Sequence, residues 1–207
     1  MTSKARKRKT REWKKQPLRI ACWNVKSFNN KDQEIITELN EHKIGIFTIF
    51  ETWQRGKGTS RDHNYILIYN GQAKTEGARS GVGLLIHDLY EDNIETIDYI
   101  NNRILIANIT VGNKPLHIIS VYAPDVSKPD QSMSEFYENL ESQIYKIPKE
   151  ETLILLGDLK ARIGKQVVDD VKQAFNEEVL NQQGEMLTEF CALNELRINK
   201  TFIKHKI

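Results

Sequence analysis

Short apolar runs bounded by polar stretches recur along this chain, and most have the length and β-branched content of strands. Residues 18–25 read as a strand that ends in polar residues. Residues 30–41 read as a helix, because Ile35, Ile36 and Leu39 share one face and Asn30 with Gln33 has capping-box spacing. Residues 44–50 are continuously apolar, as in a strand buried on both faces. Strand, helix and strand in this order make a βαβ unit, for which a right-handed crossover is expected. Further strands are predicted over 65–69, 82–86, 94–100 and 103–111. The Gly112-Asn113 pair then turns the chain back into a strand over 116–122, which makes a hairpin.

The clearest helix is predicted over 132–147. Ser132 and Glu135 are spaced as a capping box, and Met133, Phe136, Tyr137, Leu140 and Ile144 form its apolar stripe. A short strand follows at 153–156. A second amphipathic helix spans 185–196, with Met186, Leu187, Phe190, Cys191 and Leu193 facing inward, and 198–203 begins another strand. No repeat or low-complexity linker interrupts the pattern. The expectation is one strand-rich α/β domain over residues 17–207.

Composition adds bounds. The chain is 39% hydrophobic and 28% charged, enough apolar material for a sizeable core. No apolar run approaches the roughly 18–20 residues that span a bilayer. The basic N-terminus is not followed by the apolar segment of a signal peptide. A protein that is not secreted or membrane-bound, nuclear or cytoplasmic, is expected. Cys22 and Cys191 belong to no Cys-x-x-Cys or Cys/His cluster, so buried thiols in a reducing compartment are expected, with neither zinc nor disulfides.

Charge changes the picture more. Residues 1–19 hold nine Lys and Arg against the single Glu12, a net of +8, which leaves −6 for the rest of a chain totalling +2. Residues 1–16 read as a disordered basic arm. Such an arm serves as a nuclear localisation signal, as a nucleic-acid tether, or merely as a solvated tail.

Four of the apolar runs deliver a polar side chain at their end: Asn24, Glu51, Tyr122 and Asp158. In α/β sheets ligands gather where strand ends converge. A carboxylate holds a hard divalent ion such as Mg²⁺, which needs only one or two protein carboxylates and keeps most of its waters. An amide and a phenol donate to phosphate oxygens, and a second carboxylate orients an attacking water. Each residue alone is an ordinary turn former, Asp158 after Gly157 above all. As a set they point to metal-assisted phosphoester chemistry.

The motifs Trp23-Asn24-Val25, Phe50-Glu51-Thr52, Ser80-Gly81-Val82-Gly83, Val121-Tyr122-Ala123-Pro124 and Gly157-Asp158-Leu159 stand in a characteristic order. In that order the chain resembles the endonuclease/exonuclease/phosphatase superfamily. Within it, the chain most resembles the apurinic-endonuclease-like domain of non-LTR, LINE-type retrotransposons and its domesticated relatives. The resemblance runs from about Leu18 to the last residue. It implies a four-layer α/β sandwich, two packed β-sheets flanked by helices, and Mg²⁺-dependent hydrolysis of DNA phosphodiester bonds, with Mn²⁺ as an alternative ion. Carried over, it implies that Asn24 contacts the phosphate or the metal shell, that Glu51 binds the metal, and that Tyr122 hydrogen-bonds the scissile phosphate. Asp158 would orient or activate the nucleophile, and Lys160, Arg162 and the basic arm would meet the DNA backbone.

Two departures qualify this. The family reads Gly-Asp-Phe-Asn or Gly-Asp-Leu-Asn where this chain has Lys160, so a planar amide becomes a cation. Lys160 can meet a phosphate as a point charge, but it can also compete with the metal and pair with Asp158, blunting it as a base. The family's last segment also carries a metal-binding Asp and a Ser-Asp-His motif, and this sequence ends at Ile207 before either. His205 is not that histidine, and His42, His63, His87 and His117 match no motif and are expected at the surface or an edge. The domain is therefore expected to lack the family's C-terminal strands. Its reaction is expected to be weak or lost, the alternatives being an active endonuclease and a non-catalytic nucleic-acid-binding or protein-interaction module.

Overall fold

Strand β1 (Ile20–Asn24) and strand β2 (Ile46–Phe50) lie parallel, joined by helix α1 (Asp32–Glu41), as the βαβ pattern requires. The computed structural model describes residues 16–24, 31–72, 81–125 and 130–204. The basic arm up to residue 15, Val25, Asn30, Ser80 and His205 lie outside them. Helix α1 starts after Lys31, which caps it with no side-chain hydrogen bond, and Asp32 and Glu34 place negative charge in its first turn. Its Ile35, Ile36 and Leu39 pack on Phe47 and Ile49, while Ile46 and Phe50 face the opposite side of β2. Burial on both faces is why β2 has no polar alternation.

The first sheet adds β3 (Lys57–Asp62), β4 (Tyr65–Asn70) and β5 (Val82–His87), in the order β1-β2-β5-β4-β3. Strand β3 was absent from the sequence reading because Lys-Gly-Thr-Ser-Arg-Asp carries no apolar alternation. It is an edge strand held by its ladder to β4. Polar, charged residues suit such an edge.

The second sheet comprises β6 (Ile94–Asn101), β7 (Ile104–Val111), β8 (Lys114–Tyr122) and β9 (Thr152–Asp158), in that order. Gly112 and Asn113 both have left-handed backbone, φ 58° and 62°, which matches the twist of the antiparallel β7–β8 hairpin. The sheets pack face to face. Ile46, Phe50, Ile68 and Leu84 from one meet Leu105, Ala107, Ile118 and Tyr122 from the other.

The described residues fall into two compact units, one within Met1–Tyr122 and Lys149–Gly157, the other within Ala123–Pro148 and Asp158–Ile207. The second contains helix α2 (Asp130–Ile144) and helix α3 (Gln182–Leu193). Ile163, Val171, Leu187 and Cys191 form a core of its own, and the Tyr137 ring lies 4.9 Å from that of Phe190. Within the first unit, the two packed sheets with helix α1 against the first make an α/β sandwich, as expected. Among the described residues no helix is long and apolar enough to cross a membrane.

Several expectations need correction. Helix α2 begins at Asp130, so Ser132 lies inside its first turn and not at its N-cap. Helix α3 begins at Gln182, because the Asn181 side chain accepts from Gly184 N at 2.8 Å and caps it. Leu193, in its last turn, is 73% exposed. In place of a strand over 198–203, a 3₁₀ turn at Asn199–Thr201 closes on itself through Thr201 N to Ile198 O. Cys191 is buried as expected, and burial pushes its thiol up to about 12, but Cys22 is exposed on edge strand β1. His87 is buried, with Nε2 2.8 Å from the Asn64 amide nitrogen.

Candidate functional site

Parallel pairing of β1 with β2 sets Asn24 opposite Phe50, and so beside Glu51, the first residue beyond β2. Glu51 Oε1 accepts two hydrogen bonds, from Asn24 Nδ2 at 2.8 Å and from the Tyr122 hydroxyl at 2.9 Å. Tyr122 is the last residue of β8 and is buried in the core between the sheets, so its ring has little freedom. The structure thus brings three of the sequence-predicted residues together in the first unit.

The backbone at this point is under constraint. Glu51 has φ 56°, a left-handed conformation that side chains other than glycine adopt only at a cost. The next residue, Thr52, donates its N–H to Gly81 O at 3.4 Å, and Gly81 itself has φ 121°. A Cβ on Gly81 would lie 2.5 Å from Thr52 Oγ1, which explains the first glycine of the Ser80-Gly81-Val82-Gly83 motif.

Arg103 was missed by sequence reasoning. It sits in the turn between β6 and β7 and donates from Nη1 to Tyr122 O at 3.1 Å, with its guanidinium carbon 5.7 Å from the Tyr122 ring centroid. An arginine in a hairpin turn has no local pattern that would mark it. Only the pairing of β7 with β8 shows what it faces.

In the second unit, Asp158 ends β9 and its carbonyl accepts from Ala123 N at 3.0 Å. Its carboxylate is engaged by Lys160 twice: Oδ2 with Nζ at 2.7 Å and Oδ1 with the main-chain N–H at 3.1 Å. The expected Asp158–Lys160 pairing is therefore formed. Lys160 has φ 55°, a region in which asparagine is more at ease than lysine. Arg162 pairs with Glu177, Nη2 to Oε2 at 2.6 Å, and the arginine's hydrogen bond holds the Glu177 carboxyl below its usual range. Asn181 ties this segment to the start of α3: its Oδ1 accepts from Arg162 N at 2.9 Å and its Nδ2 donates to Lys160 O at 3.2 Å.

Gly157 lies within β9 and serves no turn. A Cβ there would stand 2.2 Å from Val121 Cγ2 and 2.5 Å from Val121 O, so close strand approach demands the glycine.

Among the described residues no group of three or more His, Cys, Asp or Glu could hold a metal ion. That excludes among them a structural zinc cage of such ligands. Mg²⁺ asks less, one or two carboxylates with waters completing its shell. Both of these hydrogen bonds to Glu51 fall on Oε1 and both come from neutral donors, so neither cancels the carboxylate's charge. Glu51 fits such an ion, and Asn24 can supply its amide oxygen.

No family model matches the chain. It is 29% identical over 188 residues to craniofacial development protein 2 from Bos taurus, covering 89% of this chain and 31% of that protein. The chain thus spans about a third of the length of the curated relatives it matches. Among solved structures, an AP endonuclease from Archaeoglobus fulgidus matches with a TM-score of 0.59 and 19% identity, over 86% of this chain and 70% of that one. The endonuclease domain of TRAS1, a telomere-specific non-LTR retrotransposon, matches with a TM-score of 0.59 and 17% identity, over 86% and 71%. The fold and the resemblance read from the strand-end motifs are borne out.

Proposed function

We propose that this chain, which has the fold of the endonuclease/exonuclease/phosphatase superfamily, carries a Mg²⁺-dependent phosphodiesterase site of the retrotransposon-endonuclease kind whose reaction is impaired at Asp158. The observation that supports it is the convergence of Asn24 and Tyr122 on one oxygen of Glu51. Two neutral donors orient the carboxylate without cancelling its charge, so Glu51 is prepared for a divalent cation. When bound, Mg²⁺ or Mn²⁺ would polarise a phosphoryl oxygen and offset the charge that builds on it. Asn24 has a second amide hydrogen besides the one given to Glu51, whereas the Tyr122 hydroxyl, whose one hydrogen goes to Glu51, can donate to a phosphate oxygen only by exchanging that bond.

Asp158 has the part of orienting the attacking water. Lys160 already engages both of its oxygens, so that water must compete for it. The domain taken as a whole, residues 17–207, would hold DNA through its phosphates, and the arm over 1–16 would add salt-sensitive, sequence-neutral affinity or a nuclear address. The Asp158–Lys160 pair also favours a second reading, a module that binds nucleic acid without cleaving it.

Nicking of supercoiled plasmid in Mg²⁺ decides between them. We expect slow nicking that Glu51→Gln abolishes and Lys160→Asn accelerates. Plasmid that is bound but never nicked, by either the parent or Lys160→Asn, would overturn the enzymatic reading in favour of the binding module.

A further inference from the structure

Residues Asn102 and Arg103 form the two-residue link between β6 and β7, where Asn101 pairs with Ile104. Ile104 in turn pairs with Val121, so Arg103 falls opposite Tyr122. Three contacts follow from that placement. Arg103 O accepts from Tyr122 N at 3.0 Å, Arg103 Nη1 donates to Tyr122 O at 3.1 Å, and the guanidinium lies 5.7 Å from the centre of the Tyr122 ring. The main chain of Tyr122 is thereby clamped at its N–H and its C=O, with a cation beside the ring.

The clamp is itself supported. Asn101 Oδ1 accepts from Arg103 N at 2.9 Å, which fixes the turn. Asn101 O accepts from Asn70 Nδ2 at 2.6 Å, and Asn70 is a buried residue at the end of β4 in the other sheet. A continuous chain of polar contacts therefore runs Asn70, Asn101, Arg103, Tyr122, Glu51, Asn24, across the ends of both sheets. Tyr122 stands in its middle, between a guanidinium at its ring and a carboxylate at its hydroxyl.

We propose that Arg103 is a positioning residue of this site, holding Tyr122 so that its phenol O–H stays aimed at Glu51. The role rests on the reading of Glu51 and Tyr122 as a phosphodiesterase site. A phenol turns about two side-chain bonds, and its aim is held only if both the main chain and the ring are restrained. The core packs around the ring, and Arg103 adds a hold on the main-chain carbonyl and a cation beside the ring with one side chain. A lysine there keeps the cation and one donor but loses the planar fork, so it is a partial substitute.

The test uses the full chain with ¹³C-labelled tyrosine rings, the Tyr122 resonances being assigned with Tyr122→Phe. Arg103→Met is expected to shift those resonances and to lower kcat for plasmid nicking about a hundredfold while KM holds, the cost of a small misplacement of a reacting group. Arg103→Lys is expected to return the resonances toward the parent and recover most of kcat. If Arg103→Met does not fold, Asn101→Ala loosens the turn without touching the guanidinium and should move the same resonances by less. Tyr122 resonances unmoved in these variants, or not recovered by lysine, would overturn the positioning role. Resonances that respond as expected in a protein with no Glu51-dependent nicking would keep that role and overturn the phosphodiesterase reading instead.

Discussion

Glu51, in the first unit, meets two neutral donors on a single oxygen, whereas Asp158, in the second, meets an ammonium on one oxygen and a main-chain N–H on the other, both from Lys160. The two carboxylates end similar apolar runs, and each has a non-glycine residue in left-handed backbone at hand, Glu51 itself at φ 56° and Lys160 at φ 55°. They differ in what the neighbours do to the charge. Amide and phenol donors direct a carboxylate and leave its charge in place for a cation. A lysine at 2.7 Å, with both side chains about three-quarters buried, neutralises it. A strand-end carboxylate is thus met by neutral donors in one unit and committed to an internal ion pair in the other.

Replacing Glu51 breaks the first half of that contrast most severely. Glu51→Gln keeps an acceptor for Asn24 and Tyr122 but removes the charge, and nicking should fall by about a hundredfold or more, as for a member of a catalytic unit. Circular dichroism and melting should change little.

Gly157→Ala breaks the second half at its support. The new Cβ would meet the main-chain carbonyl of Val121, which cannot swing aside as a side chain would. A loss of about 3 kcal/mol is expected, at the upper end for overpacking, read as a lower urea midpoint with an unchanged slope.

Lys160→Asn should bring the two carboxylates closer in behaviour. Removing the ammonium frees Asp158, and asparagine tolerates left-handed backbone, so the lost ion pair and the relieved backbone should offset to within about 1 kcal/mol. Nicking should rise about tenfold, an effect of roughly 1.4 kcal/mol on the barrier. A rate no higher than the parent's would remove Lys160 as the cause of the impairment.

The smallest effect concerns pH and serves as a control on the other three. Burial pushes His87 below its ordinary value of 6.5, against an opposing pull from Asp88. Its two ring nitrogens both face N–H groups, Leu89 N at 3.2 Å from Nδ1 and the Asn64 amide at 2.8 Å from Nε2, so a ring protonated at both would set donors face to face. Because the folded value is depressed, the unfolded chain takes up the proton first as pH falls. The contribution is full above 6.5 and is lost as pH drops toward the folded value. Unfolding free energies from urea titrations at pH 7.5 and 5.5 should differ by less than about 1 kcal/mol, the lower at pH 5.5, and His87→Gln should shrink that gap. Acid loss of nicking that persists in His87→Gln then belongs to the site and not to the fold.

Much of the fold was legible because it rests on local pattern. Continuous apolar runs marked β2 and β9, the Gly112-Asn113 pair marked the β7–β8 hairpin, and Ile35, Ile36 and Leu39 marked the buried face of α1. The misses have a common cause. Strand β3 is polar because it is an edge, the residues after 198 make a 3₁₀ turn because Thr201 is drawn into the second unit's interior, and His87 is buried by the elements around it. None of these is a property of the neighbouring residues in the chain.

The site divides the same way. Residue type and order along the chain determined that Asn24, Glu51, Tyr122 and Asp158 would sit at strand ends, since a strand must end where its apolar run does. Only tertiary structure decided their partners. Asn24 lies 27 residues from Glu51 and Tyr122 lies 71, so their meeting on Oε1 depends on strand pairing and sheet packing, and so does the placement of Arg103 against Tyr122. Lys160 is the exception that shows why. It is two residues from Asp158, so its reach was visible in the sequence, whereas a hydrogen bond between distant residues exists only once the backbone between them has been folded into register.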